Sequence, residues 1–238
     1  AYRDGQPVGR ISAQIDKLHR ERYGFDAGHF GFMECIDDVQ VFASLMLHAE
    51  AWLAARGIRH VTGPFNFSIN HEVGILVDGF DTPPMIMMTH SAPWYGRLLE
   101  GQGYVPAKDM LAYKINVDFE FPPVMKAVIH RFSSKIKLRT LQRNRLAEEM
   151  EILRDIFNDA WCENWGFIPF TEEEFVELGN TLKWLLPDEF VQIAEVEGVP
   201  AAFMVGLPNL NEILPELNGN LFPFGWMKLI KRIKNNEI

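Results

Sequence analysis

Two cysteines, Cys35 and Cys162, are all that 238 residues contain. They are too few and too far apart for a disulfide framework or a CxxC zinc pair, which fits a reducing cytoplasm. No stretch reaches the roughly 18 apolar residues a membrane-spanning helix needs, and residues 1–10 are polar, unlike a signal peptide. A soluble, cytoplasmic protein with no membrane partner is therefore expected. Positive charge is also short: 23 Lys and Arg against 32 Asp and Glu give a net charge of -9. Such a surface has no electrostatic reason to bind nucleic acid, which is held by cations neutralising phosphates. The seven histidines, among them His48, His60, His71 and His90, form no HxxxH or HxH pattern, so no metal is expected. Neither GxSxG nor a paired Cys/His arrangement suggests covalent catalysis. The sequon Asn66-Phe67-Ser68 has no secretion signal to give it meaning.

Apolar periodicity is abundant. At 47% hydrophobic and 23% charged, the chain can bury a substantial core. Asp4-Gly5 between two short runs predicts a hairpin turn, so the chain starts inside a sheet and an upstream segment is expected. Residues 28–36 read as a strand. After Asp37-Asp38, residues Val39, Phe42, Leu45, Met46, Ala49, Trp52 and Leu53 recur at spacings of three and four, which predicts a helix over 39–56 closed by Gly57. A strand over 58–62, a helix over 94–101 and a strand over 111–117 complete a β, α, β, α, β order, the signature of an α/β domain.

Pro122-Pro123 marks a boundary. Residues 133–145, with Lys135, Lys137, Arg139, Arg143 and Arg145, read as a solvated connector. A helix follows over 147–165, then a second from Thr171 to about Leu186 with Glu174 completing a capping box, then a strand over 190–196. Asp4-Gly5-Gln6-Pro7-Val8-Gly9 and Glu197-Gly198-Val199-Pro200-Ala201-Ala202 share an acid-Gly-x-Pro-small pattern, which implies two related domains. The division expected is a first domain over 1–120, a linker over 121–146 and the start of a second domain over 147–238.

Residues 65–72 alternate, so that Asn66, Ser68, Asn70 and Glu72 would share one face of an extended segment. These side chains either line a pocket, where amides and a hydroxyl orient a substrate and Glu72 takes a proton from an amine, or form an exposed strand face. The run 226–234 places Met227, Leu229, Ile230 and Ile233 between basic residues. It reads as an approach to a further strand, with a surface-lying amphipathic helix as the other pattern it fits.

The order of acid-Gly-x-Pro hairpin, strand to Ile36, long helix to Arg56-Gly57, strand, helix to Gly103-Tyr104 and strand resembles the core of the acyl-CoA-dependent N-acyltransferase (GNAT) superfamily. Residues 147–206 resemble the start of a second such domain. Gly63-Pro64-Phe65-Asn66-Phe67-Ser68-Ile69-Asn70 and Asn164-Trp165-Gly166-Phe167-Ile168-Pro169 resemble stretches of a bacterial tandem GNAT-like family. The resemblance implies a GNAT-like mixed central sheet flanked by helices, followed by the N-terminal part of a second GNAT-like domain. It implies acetyl-CoA or another acyl-CoA as donor and a small-molecule or peptide amine as acceptor.

In that superfamily small residues and free N–H groups at the start of the long helix admit the CoA pyrophosphate. Here Asp37, Gln40 and Phe42 stand at the corresponding positions, so the cofactor-binding residues stay unknown and the pyrophosphate motif is expected further along a longer chain. The superfamily's tyrosine acid has its nearest counterpart in Tyr95, one turn from the matching Leu99, with packing or substrate lining as its other role. Trp161, Asn164 and Trp165 fall where the family's acceptor loop lies, or simply build core. Two rival functions remain: a catalytically silent binding or scaffold module, and a Fem-type aminoacyl transferase using charged tRNA.

Overall fold

The computed structural model describes residues 1–24, 26–115, 118–183, 186–218 and 220–235. The fold is mixed α/β, with open sheets and helices. It divides into two compact units that do not follow chain order. One comprises Ala1–Val105, Trp161–Pro169 and Asn209–Ile238; the other comprises Pro106–Ala160 and Phe170–Pro208.

The first unit opens with the hairpin β1 (Tyr2–Arg3) and β2 (Gln6–Pro7). Asp4 (φ 51) and Gly5 (φ 77) both take the left-handed conformation a two-residue turn of this kind requires. There follow β3 (Gly9–Gln14), α1 (Lys17–Tyr23), β4 (Ala27–Cys35), α2 (Val39–Ala54), β5 (His60–Thr62) and α3 (Tyr95–Gly101). The sheet order is β3-β4-β5, with β3 antiparallel to β4 and β4 parallel to β5.

The long helix forms as its spacing predicts. Asp38 caps its start by accepting from the backbone N–H groups of Gln40 and Val41. Its end is closed by Gly57 (φ 80), with Ile58 N–H bonded to Leu53 O and Gly57 N–H to Ala54 O, a Schellman arrangement. Phe42, Leu45, Met46 and Ala49 are buried in one cluster with Phe30, Met33 and Cys35 of β4 and Tyr95, Leu98 and Leu99 of α3. Val39 and Trp52, counted on the same face from the sequence, are exposed instead. The Arg56 guanidinium covers the Trp52 ring at 3.7 Å.

The second unit contains α4 (Pro123–Phe132), β6 (Ile136–Thr140), most of α5 (Leu146–Trp161), α6 (Glu172–Leu182), β7 (Val191–Val196) and β8 (Val199–Val205). Its sheet is antiparallel, in the order β6-β7-β8. Thr171 and Glu174 make the expected capping box at α6. The helix ends at Leu182, short of the expected Leu186, and residues 184–185 lie outside the described residues. Beyond, α7 (Leu214–Leu217) and α8 (Gly225–Lys234) belong to the first unit.

Two expectations are corrected. Within 133–145, Ile136–Thr140 is strand β6, paired with β7. Its Arg139 is no solvated cation: Nη1 donates to Glu149 Oε2 at 2.7 Å and Nε to Glu195 Oε1 at 2.6 Å, with Glu149 only 1% exposed. Over residues 111–115 the expected strand is absent, with Leu111, Tyr113 and Ile115 exposed, while residues 116–117 lie outside the described residues.

Candidate functional site

In the first unit β4 and β5 pair only over Ala27–His29 and His60–Thr62. Past that point residues 63–72 fold in beside β4. Phe65 N–H donates to Phe30 O at 2.8 Å. The approach requires glycine at position 31, since a Cβ there would lie 1.7 Å from the Phe65 carbonyl oxygen. A register shift between β3 and β4, with Phe32 at φ 44, marks a bulge. The Phe32 N–H at this bulge donates to Asn66 Oδ1 at 2.8 Å. From β3, Gln14 Nε2 donates to both Phe65 O (2.8 Å) and Phe67 O (2.6 Å).

The segment is therefore not the extended strand its alternation predicts. Phe67 has φ 81, and the chain doubles back, with a bridge from Phe65 to Val73 and Asn66 N–H donating to Glu72 O at 2.9 Å. The four polar side chains stay together through the turn rather than along a strand face. Asn66 Nδ2 donates to Glu72 Oε2 at 3.2 Å. Ser68 is 4% exposed; its Oγ lies 3.0 Å from His71 Nδ1 and accepts from Asn70 N–H at 3.2 Å. Glu72 itself is exposed.

Residues 161–169 join this loop within the same unit. Asn70 Nδ2 donates to Ile168 O at 3.2 Å, and the Phe65 and Trp165 rings lie 6.4 Å apart. From α1, Arg22 Nη2 donates to Cys162 O at 2.6 Å, and the Tyr23 hydroxyl donates to Phe167 O at 2.9 Å. Asn164 N–H donates to Trp161 O at 2.9 Å, which closes the turn. Phe167 and Ile168 are buried, whereas Trp161 (49%) and Trp165 (45%) remain half exposed. The structure thus brings Asn66, Ser68, Asn70 and Glu72 together with the Trp165 segment, which sequence reading assigned to another domain. Gln14 and Tyr23, which anchor the two segments, carry no pattern that marks them in the sequence.

Beneath the loop lies His29, 2% exposed, with Nδ1 2.8 Å from Thr62 Oγ1 and its ring 4.5 Å from those of His19 and Phe65. Burial, aided by the neighbouring His19, pulls its pKa down to about 4, so it stands neutral at pH 7.

Tyr95 sits apart from the loop, 3% exposed. Its hydroxyl accepts from Cys35 N–H at 2.9 Å and donates to Glu34 Oε2 at 3.1 Å. Burial pushes the phenol up to about 12, with the Glu34 carboxylate adding to the rise. This geometry ties α3 to the end of β4. At the start of α2, Asp38 occupies the N–H groups of Gln40 and Val41 and pairs with Arg3 at 2.9 Å, while Asp37 pairs with Arg97 at 2.5 Å. Backbone N–H groups that would otherwise attract a phosphate are thus bonded to a carboxylate. Among the described residues, no group of three or more His, Cys, Asp or Glu side chains is placed to hold a metal.

The chain is similar to two curated bacterial proteins. One, "Protein YghO" of Escherichia coli (strain K12), is 53% identical over 235 residues, covering 98% of this chain and 60% of that protein. The other, "Bacterial ceramide synthase" of Caulobacter vibrioides (strain NA1000 / CB15N), is 46% identical over 236 residues, covering 98% of this chain and 62% of that protein. The chain therefore spans about three fifths of the length of each relative. No protein-family model and no solved structure matches it.

Proposed function

We propose that the protein containing this chain is an N-acyltransferase of GNAT type, moving an acyl group from an acyl-CoA to an amine. The observation that carries the reading is the 46% identity, across 98% of the chain, to a protein named bacterial ceramide synthase. A ceramide is a long-chain amino alcohol acylated on nitrogen, so that name describes amide formation from an amine. The acceptor class is accordingly a long-chain amino alcohol.

The reaction needs a neutral amine, because an ammonium has no free pair. Glu72 is the base: it is exposed, and Asn66 engages only its Oε2 through a side-chain bond. The amine nitrogen attacks the thioester carbonyl carbon and gives its proton to Glu72. The C–S bond then breaks, an amide forms and the CoA thiol leaves with a proton. Asn66 positions the carboxylate, and the half-exposed Trp161 and Trp165, with Asn164, line the acceptor side beside Ser68 and Asn70. Tyr95, its proton engaged by Glu34, acts as a positioning residue for β4. The CoA pyrophosphate is bound elsewhere than the α2 N-terminus, where Asp38 already takes the N–H groups.

Incubating the full-length protein with a long-chain acyl-CoA and sphinganine tests this, with amide and free thiol as readouts. Equal amounts of both support it. The Asp38 capping favours a second reading, a binding module without turnover. Saturable acyl-CoA or amine binding without either product would select that one, and product only from aminoacyl-tRNA would select the Fem-type reaction.

A further inference from the structure

One stretch of the first unit is covered with apolar side chains that face solvent. From the turn before α8 into the helix, Leu221 (46%), Phe222 (81%), Phe224 (72%), Trp226 (44%), Met227 (51%) and Ile230 (43%) are exposed. Trp226 and Ile230 are four residues apart and Met227 and Ile230 three apart, so they share one side of the helix. Leu229 and Ile233, on the adjoining side, are partly covered. Asn211 Nδ2 donates to Pro84 O at 3.1 Å, which fastens a second stretch with exposed Met85, Met87 and Met88 to the same C-terminal segment.

The charge of this stretch runs against the rest of the chain. Gly225–Lys234 has Lys228, Lys231, Arg232 and Lys234 and no acidic residue, in a protein of net charge -9. Glu216, on α7, bonds both Lys228 Nζ (2.7 Å) and Arg232 Nη1 (2.6 Å), which braces the helix from behind. Lys231 is exposed, one residue from Ile230. Aromatic and aliphatic side chains on one side with the exposed Lys231 alongside suit an interfacial helix, the apolar groups entering the acyl boundary and the ammonium meeting anionic headgroups.

We propose that the segment 221–231 docks the protein peripherally on an anionic lipid surface. This departs from the expectation of no membrane partner. The helix does not span: no helix among the described residues is long and apolar enough to cross a bilayer. The inference stands apart from catalysis, although a long-chain amine acceptor of the kind proposed above would reside in such a surface.

The test is co-sedimentation of the full-length protein with phosphatidylethanolamine vesicles, with and without phosphatidylglycerol, which needs no turnover. Binding is expected only with phosphatidylglycerol, weakening as salt is raised. The double variant F222S/F224S should lower partitioning more than tenfold, and Lys231→Glu by about fivefold or more. Neither touches a buried contact, and circular dichroism verifies that both fold. Failure to sediment, partitioning unchanged in both variants, or a self-association that F222S/F224S abolishes while vesicles go unbound would each overturn the proposal; the last would make a second copy the occupant.

Discussion

Asn70 Nδ2 donates to Ile168 O at 3.2 Å, so the polar turn after β5 and the aromatic turn after α5 form one structure although they are far apart in sequence. That bond, the Phe65 and Trp165 rings and the Tyr23 hydroxyl on Phe167 O are what assemble the candidate site. Replacing Asn70 by Ala leaves the Ile168 carbonyl without this partner, and should cost about 1 kcal/mol of stability. Urea denaturation measures this. The difference in native-state fluorescence between Asn70→Ala and its parent should shrink when both also carry Trp165→Phe, since the chain has six tryptophans and Trp165 is the one beside this turn.

Gly31→Ala probes the seating of the other side of the site. The added Cβ would overlap the Phe65 carbonyl, so the loop must leave its place beside β4. A loss of about 3 kcal/mol or more is expected, read as a fall in the urea midpoint. A variant as stable as the parent would contradict the packing described.

Glu72→Gln removes the proposed base and keeps the shape. Turnover should fall by about 10²-fold or more, with acyl-CoA binding measured by calorimetry nearly unchanged. Asn66→Ala should act through Glu72 as a positioning change. Its turnover should fall less than that of Glu72→Gln, because the carboxylate remains and only the 3.2 Å bond that holds it is lost. A normal turnover in Glu72→Gln would remove Glu72 from the mechanism.

His29 makes a pH prediction. Its folded pKa, about 4, lies below the ordinary value of 6.5, so between these values the unfolded chain binds more protons. Its contribution is complete above pH 6.5 and is lost as pH falls toward 4, about 3 kcal/mol at the limit. Burial lowers the pKa of His19 in the same direction. Urea midpoints at pH 7 and pH 5 should differ, and His29→Gln should flatten that difference.

Much of the first unit was legible because its signals are local. The apolar spacing of α2 and the Gly57 stop lie within one stretch, as do the Asp4-Gly5 turn and, in the second unit, the Thr171–Glu174 capping box. What was missed depends on distant partners. Arg139 looks like one more surface cation until Glu149 and Glu195 close on it, and the basic residues alternating with Ile136 and Leu138 hide strand β6. The alternation over 65–72 is real, but Gln14 and the Phe32 N–H draw those backbone and amide groups into a turn. Residues 161–169 carried a recognisable aromatic pattern with no mark of the unit they join.

Acyl transfer to nitrogen is open to direct test by mass spectrometry of the full-length protein's products from a long-chain acyl-CoA and sphinganine. An N-acyl amide with one equivalent of free CoA thiol is expected, with most of that product lost in Glu72→Gln. Absence of the amide under conditions where both substrates bind, or an ester on oxygen in its place, would contradict it.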